Sequence, residues 1–186
     1  MVSIAALWLP ILLSAVAIFA VSSVMHMFLP YHWNDLRAVP RQDAALEALR
    51  GLNIPPGDYA VPKADSMQHM RSPEYLEKFN RGPVVLLNVS AGGLNMGKSL
   101  AQWFLYLLVV GIFCAYIAGR ELTPAANYLA VFRIVGFSAF MAYALALPQV
   151  SIWYRRNWRM TCTAMFDGLV FALLTAGMFG WLWPHL

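Results

Sequence analysis

Four long apolar runs divide the chain, each bounded by polar or proline-containing segments. The first covers residues 4–29 (IAALWLPILLSAVAIFAVSSVMHMFL), the second 100–118, the third 125–147 and the fourth 161–183. None alternates with the two-residue period of a half-buried strand, and each is near the roughly 20 residues that cross a bilayer as a helix. At about 1.5 Å per residue they reach roughly 28 to 39 Å, against a hydrocarbon core of about 30 Å. The pattern predicts an all-α membrane protein with four transmembrane helices. Trp8, Trp103, Trp153, Trp158, Trp181 and Trp183 fall near the run ends, where indole rings favour the membrane interface. The first run reads as an uncleaved span: no Lys or Arg precedes Arg37, and its apolar part exceeds the core of a signal peptide.

Residues 30–99 have a different texture. PRQDAALEALRG patterns as a short amphipathic helix with Asp43 near its start, and Gly51 stands just past the expected end. IPPGDYAVP predicts a turn and a short extended piece, because Pro55 and Pro56 exclude a helix interior. In RSPEYLEKFNRG, Ser72 is a natural cap, Pro73 suits the first helical position, Glu74 the first turn, and Asn80 stands near the end. VVLLNVS then reads as a strand. These elements predict a small α+β subdomain between the first two spans. Its core is too small to stand alone, and Tyr31, Trp33 and Phe79 are its expected anchors on the membrane face.

Charge orients the spans. Only 12% of the 186 residues are charged and mean hydropathy is +0.58, whereas about a quarter of a soluble domain's residues carry charge. The segment 148–160 contains Arg155, Arg156 and Arg159 without an acid, while Arg120 in the other short link is offset by Glu121. Short basic loops stay cytoplasmic. Both termini are therefore expected outside, with residues 30–99 and 148–160 cytoplasmic. Residues 30–99 carry eight basic and seven acidic residues, a near balance that supports neither nucleic acid nor a polybasic lipid tail as partner.

GGLNMGKS, Gly92–Ser99, satisfies the phosphate-loop spacing, with Lys98 and Ser99 in the required places. Nucleotide binding is nonetheless not expected. The helix that follows is a span, and no second apolar strand ends in an acid able to hold Mg²⁺. Cys114 and Cys162 read as packing residues, too far apart axially for a disulfide. HMFLPYHWND holds His26, His32 and Asp35, but Pro30 separates the histidines and no further ligand is near in sequence, so no metal site is expected. Ser90, Ser99 and His69 show no nucleophile–base spacing. Neither a catalytic set nor a cofactor site is predicted.

Two charges lie within apolar runs, where each is costly and marks a functional or packing contact. Arg133 sits mid-way along the third and Asp167 about two turns into the fourth. They are expected to clasp adjacent helices or to form an intramembrane relay, with Tyr106, Tyr143 and His26 as further polar candidates. Ala164, Gly168, Ala172, Ala176 and Gly180 recur every fourth residue. Such a small-residue stripe permits close helix contact in lipid, with Ala139, Ala142 and Ala146 as the opposing surface or with a second copy of the chain.

The loop sequences ALRGLNIPPGDYAVP and RSPEYLEKFNRGPVVLLNVSAGGLNMGK resemble a group of uncharacterised bacterial four-span inner-membrane proteins, mainly over residues 24–120. The resemblance implies a bacterial plasma membrane and carries no activity. The expected function is that of an accessory, scaffold or assembly component of a membrane complex, interacting with the bilayer and with other membrane proteins or itself. A small oligomeric transporter using Arg133 and Asp167 is the alternative.

Overall fold

The computed structural model describes residues 1–33, 35–93 and 95–184. The chain forms two compact units: Met1–Leu36 with Asn95–Leu186, and Arg37–Leu94. The first contains four helices long and apolar enough to cross a membrane: Ile4–Phe28, Met96–Glu121, Tyr128–Tyr154 and Trp158–Trp181.

The first of these begins as a 3₁₀ turn and continues as α1 (Trp8–Phe28). It ends where Pro30 forces the preceding residue out of the helical region: Leu29 is extended at φ −90°, ψ 132°. The second long helix is α5 (Met96–Glu121), capped by Asn95, whose side chain accepts from the Lys98 amide. It starts before and ends after the apolar run at 100–118, so both of its ends are more polar than its middle.

The third is composite. It runs through α6 (Tyr128–Phe140), a π turn (Met141–Leu145) and α7 (Pro148–Tyr154). Pro148 lacks the amide that would bond the Ala144 carbonyl, and its ring crowds that carbonyl. The helix widens one turn upstream, and the Leu147 amide takes Ala144 O instead, at 3.1 Å. Residues 148–154, expected in a basic loop, are therefore helical. The connection to α8 (Trp158–Trp181) shrinks to three residues after Arg155 adopts a left-handed conformation (φ 53°).

The core of this unit joins all four helices. Leu7, Ile11 and Ile18 meet Val110, Cys114 and Ala118 of α5, Val131 and Val135 of α6, and Phe171 and Phe179 of α8. Cys114 and Cys162 are free thiols, the first buried and the second exposed.

The small-residue stripe seats α8 against the third long helix of the same chain. A Cβ on Gly168 would lie 2.9 Å from the Ala144 Cβ and 3.0 Å from the Tyr143 carbonyl oxygen, and one on Gly180 would lie 2.7 Å from the Tyr128 ring. The Ala176 methyl fits over Gly136 in the same way. Ala139 is buried as expected of an opposing surface, but Ala142 and Ala146 are exposed, because the π turn rotates the following residues. Gly136, Tyr143, Ala144 and Tyr128 form the opposing surface instead.

In the second unit, α2 (Gln42–Gly51) is the amphipathic helix, and it includes Gly51 as its last residue. Strand β1 (Gly57–Val61) follows, then the one-turn α3 (Met67–Met70), α4 (Pro73–Arg81) and β2 (Val85–Val89). Ser72 caps α4 by accepting from the Tyr75 amide. The two strands pair antiparallel, with Tyr59 opposite Leu87. Tyr75 is the buried residue of α4 and packs beside Phe79 and His69. Glu74 and Lys78, exposed one turn apart, hold each other's charged form: the hydrogen bond and the opposite charge lower the Glu74 pKa and raise that of Lys78. The Gly92–Ser99 pattern thus follows a strand of a two-stranded antiparallel ribbon rather than of a parallel sheet. Leu94 within it lies outside the described residues.

Replacing Gly168 or Gly180 by Ala should lower thermal stability in detergent, by about 1–3 kcal/mol each, the usual cost of overpacking. Gly51 has nothing within 4 Å of the place a methyl group would take, and it should accept Ala with no loss. Equal tolerance at all three positions in a thermal-unfolding series would show that the stripe does not set helix spacing.

Candidate functional site

Where α1 ends and α8 begins, His26, Tyr31 and His32 gather around one carboxylate. Asp167 lies nine residues beyond Trp158, about 14 Å along α8 at the standard rise, and is 4% exposed. Its neighbour Gly168 lets the π turn approach closely on one side. On the other, the chain leaving α1 folds under the helix end.

That fold is caused by Pro30. On a continuous helix, His26 and His32 would be rotated about 240° apart, on different faces. The break at Leu29 is followed by a 3₁₀ turn, Pro30–His32. The Trp33 amide bonds Pro30 O at 3.1 Å and the Asp35 amide bonds His32 O at 3.0 Å. This tight reversal brings the His32 ring parallel to that of His26, with centroids 4.4 Å apart and planes 15° from parallel. Tyr31 is placed beside them, its ring 4.2 Å from His32 and edge-on to Phe166 at 6.3 Å. The proline that separates the histidines in sequence is what joins them in space.

Each group is held by a specific partner. The Tyr31 hydroxyl donates to Asp167 Oδ1 at 2.6 Å. Burial, and then the hydrogen bond and negative charge of Asp167, push the Tyr31 phenol above its ordinary pKa, so it remains a proton donor. His32 Nδ1 lies 2.7 Å from Asp35 Oδ2, and His26 Nδ1 lies 3.0 Å from the carbonyl oxygen of Ser22. A carbonyl or carboxylate oxygen only accepts, so both Nδ1 atoms carry the proton in these bonds. In the neutral imidazoles the lone pairs then reside on Nε2. Both Nε2 atoms turn towards Asp167 Oδ2, His32 at 2.9 Å and His26 at 3.9 Å.

The short His32–Asp167 approach is not a hydrogen bond. His32 Nε2 is buried without a hydrogen-bond partner, as is Asp35 Oδ1. At 2.9 Å the two atoms form an ion pair when His32 is protonated. Within the first unit, His26, His32 and Asp167 each place one ligand atom within 4.8 Å of the others, a grouping that could hold a metal ion. Asp167 and Asp35 contribute two carboxylates, and the ion pairs of both among the described residues are with histidine alone.

The other polar candidates lie elsewhere. Arg133 is exposed on α6 and forms no ion pair with Asp167 among the described residues, so the proposed clasp between them is replaced by the histidine cluster. Tyr106 and Tyr143 join an aromatic layer with Trp103 and Phe171, and the Tyr106 hydroxyl donates to Ala142 O at 3.2 Å. Ser22 binds this layer to the site: its hydroxyl accepts from the Trp103 indole at 3.1 Å while its carbonyl holds His26. His69 belongs to the second unit, and His185 lies outside the described residues. Sequence reasoning weighs His32 and Asp35 as ligands and sets them aside, and it reads Tyr31 as an interfacial anchor rather than a site residue. Their signal was HMFLPYHWND itself, which needed Asp167 as a distant third ligand.

Removing Asp167 leaves the half-buried Tyr31 hydroxyl without its acceptor, a loss at the lower end of the roughly 1–3 kcal/mol that an orphaned buried donor costs. Asp167→Leu should therefore destabilise the protein in detergent. Adding Arg133→Leu should give summed effects rather than rescue, as for sites that share no partners. Recovery of stability in the double variant would restore the clasp between the two charges.

Comparison of the chain with protein-family models, with curated proteins and with solved structures found no match.

Proposed function

We propose that the protein is a multi-pass membrane protein that binds a cation at one end of its helix bundle. The observation that carries this reading is a charge imbalance. Asp167 is 4% exposed between helices apolar enough to span a bilayer, with Asp35 on the other side of His32, and among the described residues both carboxylates form ion pairs only with imidazoles, which carry positive charge only when protonated. A buried carboxylate without a strong counter-ion is expensive, more so in hydrocarbon than in water-facing cores. Tyr31 stabilises the anion with one hydrogen bond but supplies no positive charge. A bound cation does.

The bacterial plasma membrane is the proposed location, following the resemblance over residues 24–120. The arginines set the orientation. Arg155, Arg156 and Arg159 cluster at the turn between α7 and α8, whereas Arg120 at the opposite helix ends is accompanied by Glu121. With the basic turn cytoplasmic, both termini are extracytoplasmic. In this orientation the cation site, at the end of α1 and the start of α8, is on the cytoplasmic side. The unit Arg37–Leu94 is then cytoplasmic as well, and an accessory role within a membrane assembly fits this arrangement.

A reporter fused after the last residue should read as extracytoplasmic and one inserted at Gly57 as cytoplasmic; the opposite pair of signals would reverse the orientation. For the site, thermal unfolding in mild detergent should be followed against Na⁺, K⁺, Mg²⁺, Ca²⁺, Mn²⁺, Co²⁺ and Zn²⁺. A ligand at 100 times its Kd adds about 2.7 kcal/mol to stability. At least one cation should stabilise the native chain and fail to stabilise Asp167→Asn. Stabilisation by none, or by the same ions in both proteins, would refute cation binding at this site.

A further inference from the structure

Charge alone calls for a cation; the arrangement of lone pairs says which kind. We infer that His26 Nε2, His32 Nε2 and Asp167 Oδ2 ligate a divalent first-row transition-metal ion, an inference that rests on the cation-binding reading above.

Three observations support this choice independently of charge. The donor set is two imidazole nitrogens and one carboxylate oxygen. Imidazole suits zinc, iron, nickel, cobalt and copper, whereas magnesium and calcium take six or more oxygen ligands. The spacing also fits. Ligand atoms about 2.0–2.1 Å from a tetrahedral ion stand about 3.3 Å apart. Here the two Nε2–Oδ2 separations, 2.9 Å and 3.9 Å, bracket that value, and all three ligand atoms lie within 4.8 Å of one another. His26, with a side chain 55% exposed, forms the open side of the cluster.

The third observation is the set of outer contacts. Metal-bound histidines characteristically donate their other ring N–H to a carboxylate or a backbone carbonyl, which fixes the tautomer and aims the lone pair. His32 uses Asp35, and His26 uses the Ser22 carbonyl. The third ligand is oriented likewise, with Asp167 Oδ1 held by Tyr31 so that Oδ2 faces the imidazoles. All three ligands are thus aimed by a dedicated partner. His32 Nε2 lies 2.9 Å from Oδ2 without a hydrogen bond between them, and a metal ion would take the place that a proton between the two atoms would otherwise hold. Two lone pairs turned on a common point are what a metal ion accommodates. Three protein ligands leave at least one coordination position for water or another ligand, on the exposed His26 side.

The test uses the full chain, purified in mild detergent without a polyhistidine tag, stripped with chelator and titrated with Co²⁺. Visible absorption reports coordination, and elemental analysis after gel filtration reports stoichiometry. One Co²⁺ per chain is expected, with a ligand-field band characteristic of four or five coordination, displaced by Zn²⁺ and unaffected by excess Mg²⁺ or Ca²⁺. His32→Ala should abolish the band. His26→Gln alters an exposed ring outside the core, preserves folding, and should weaken Co²⁺ binding at least ~10-fold. Asp35→Asn should keep the band at saturation but weaken binding about 10–100-fold, the usual effect of losing an orienting partner. Binding that survives unchanged in both His26→Gln and His32→Ala would overturn the inference, as would an absent band in the native chain. If the transition-metal ions fail while Na⁺, K⁺, Mg²⁺ or Ca²⁺ stabilises the protein through Asp167, the metal assignment alone falls. If no ion acts through Asp167, the cation-binding reading falls with it.

Discussion

The organisation of the helical unit turns on the burial of one carboxylate. Asp167 stands two turns into a helix whose neighbours are Phe171, Ala172 and Gly168, and burying a charge there is unfavourable unless polar groups are brought to it. Among the described residues, none comes from α5 or α6. The polar groups arrive from the chain beyond the end of α1, which is folded back by the Leu29–Pro30 break. Tyr31 supplies a hydrogen bond and His32 a ring nitrogen, while His26 joins them from the last turn of α1 itself. This end of the bundle is therefore closed by polar contacts to the carboxylate.

The packing has its own logic. In lipid, helices gain little by hiding apolar surface from one another, so close contact depends on small residues. The Gly168–Gly180 face of α8 meets Tyr143, Ala144 and Tyr128 at distances that leave no space for a Cβ. The π turn at Met141–Leu145 is what brings the Tyr143 carbonyl against Gly168. Single widened turns of this type often stand beside functional groups. Here the residue next to that contact is Asp167, so the fit of the third and fourth long helices sets the depth and direction of the carboxylate.

The two histidines show how a local rule can mislead when applied in one dimension. Pro30 ends α1 and removes any helical relation between His26 and His32, which argued against a shared site. A 3₁₀ reversal produces a closer approach than a continuous helix would allow, with stacked rings 4.4 Å apart. The same segment puts Asp35 behind His32, giving a carboxylate–imidazole pair from residues three apart. The spacing of HMFLPYHWND thus encodes the two imidazoles and one orienting carboxylate of the cluster but not its centre.

Sequence alone determined the number of long helices, because apolar length and the scarcity of charge are one-dimensional properties. It also marked α2, α4 and the two strands of the second unit, whose caps and prolines act over a few residues, and it singled out Asp167 as a buried charge. The small-residue stripe was equally visible, since it repeats along a single helix. Tertiary structure decided which groups answer that charge. Arg133 and Asp167 have opposite signs and neighbouring helices, but helix rotation leaves Arg133 on the exposed side of α6. Rotation, the π turn and the reversal at Pro30 are outcomes of packing among distant segments, and no periodicity along the chain records them. Asp167 therefore meets Tyr31 and His32, residues more than a hundred positions away, rather than the arginine that charge alone would choose.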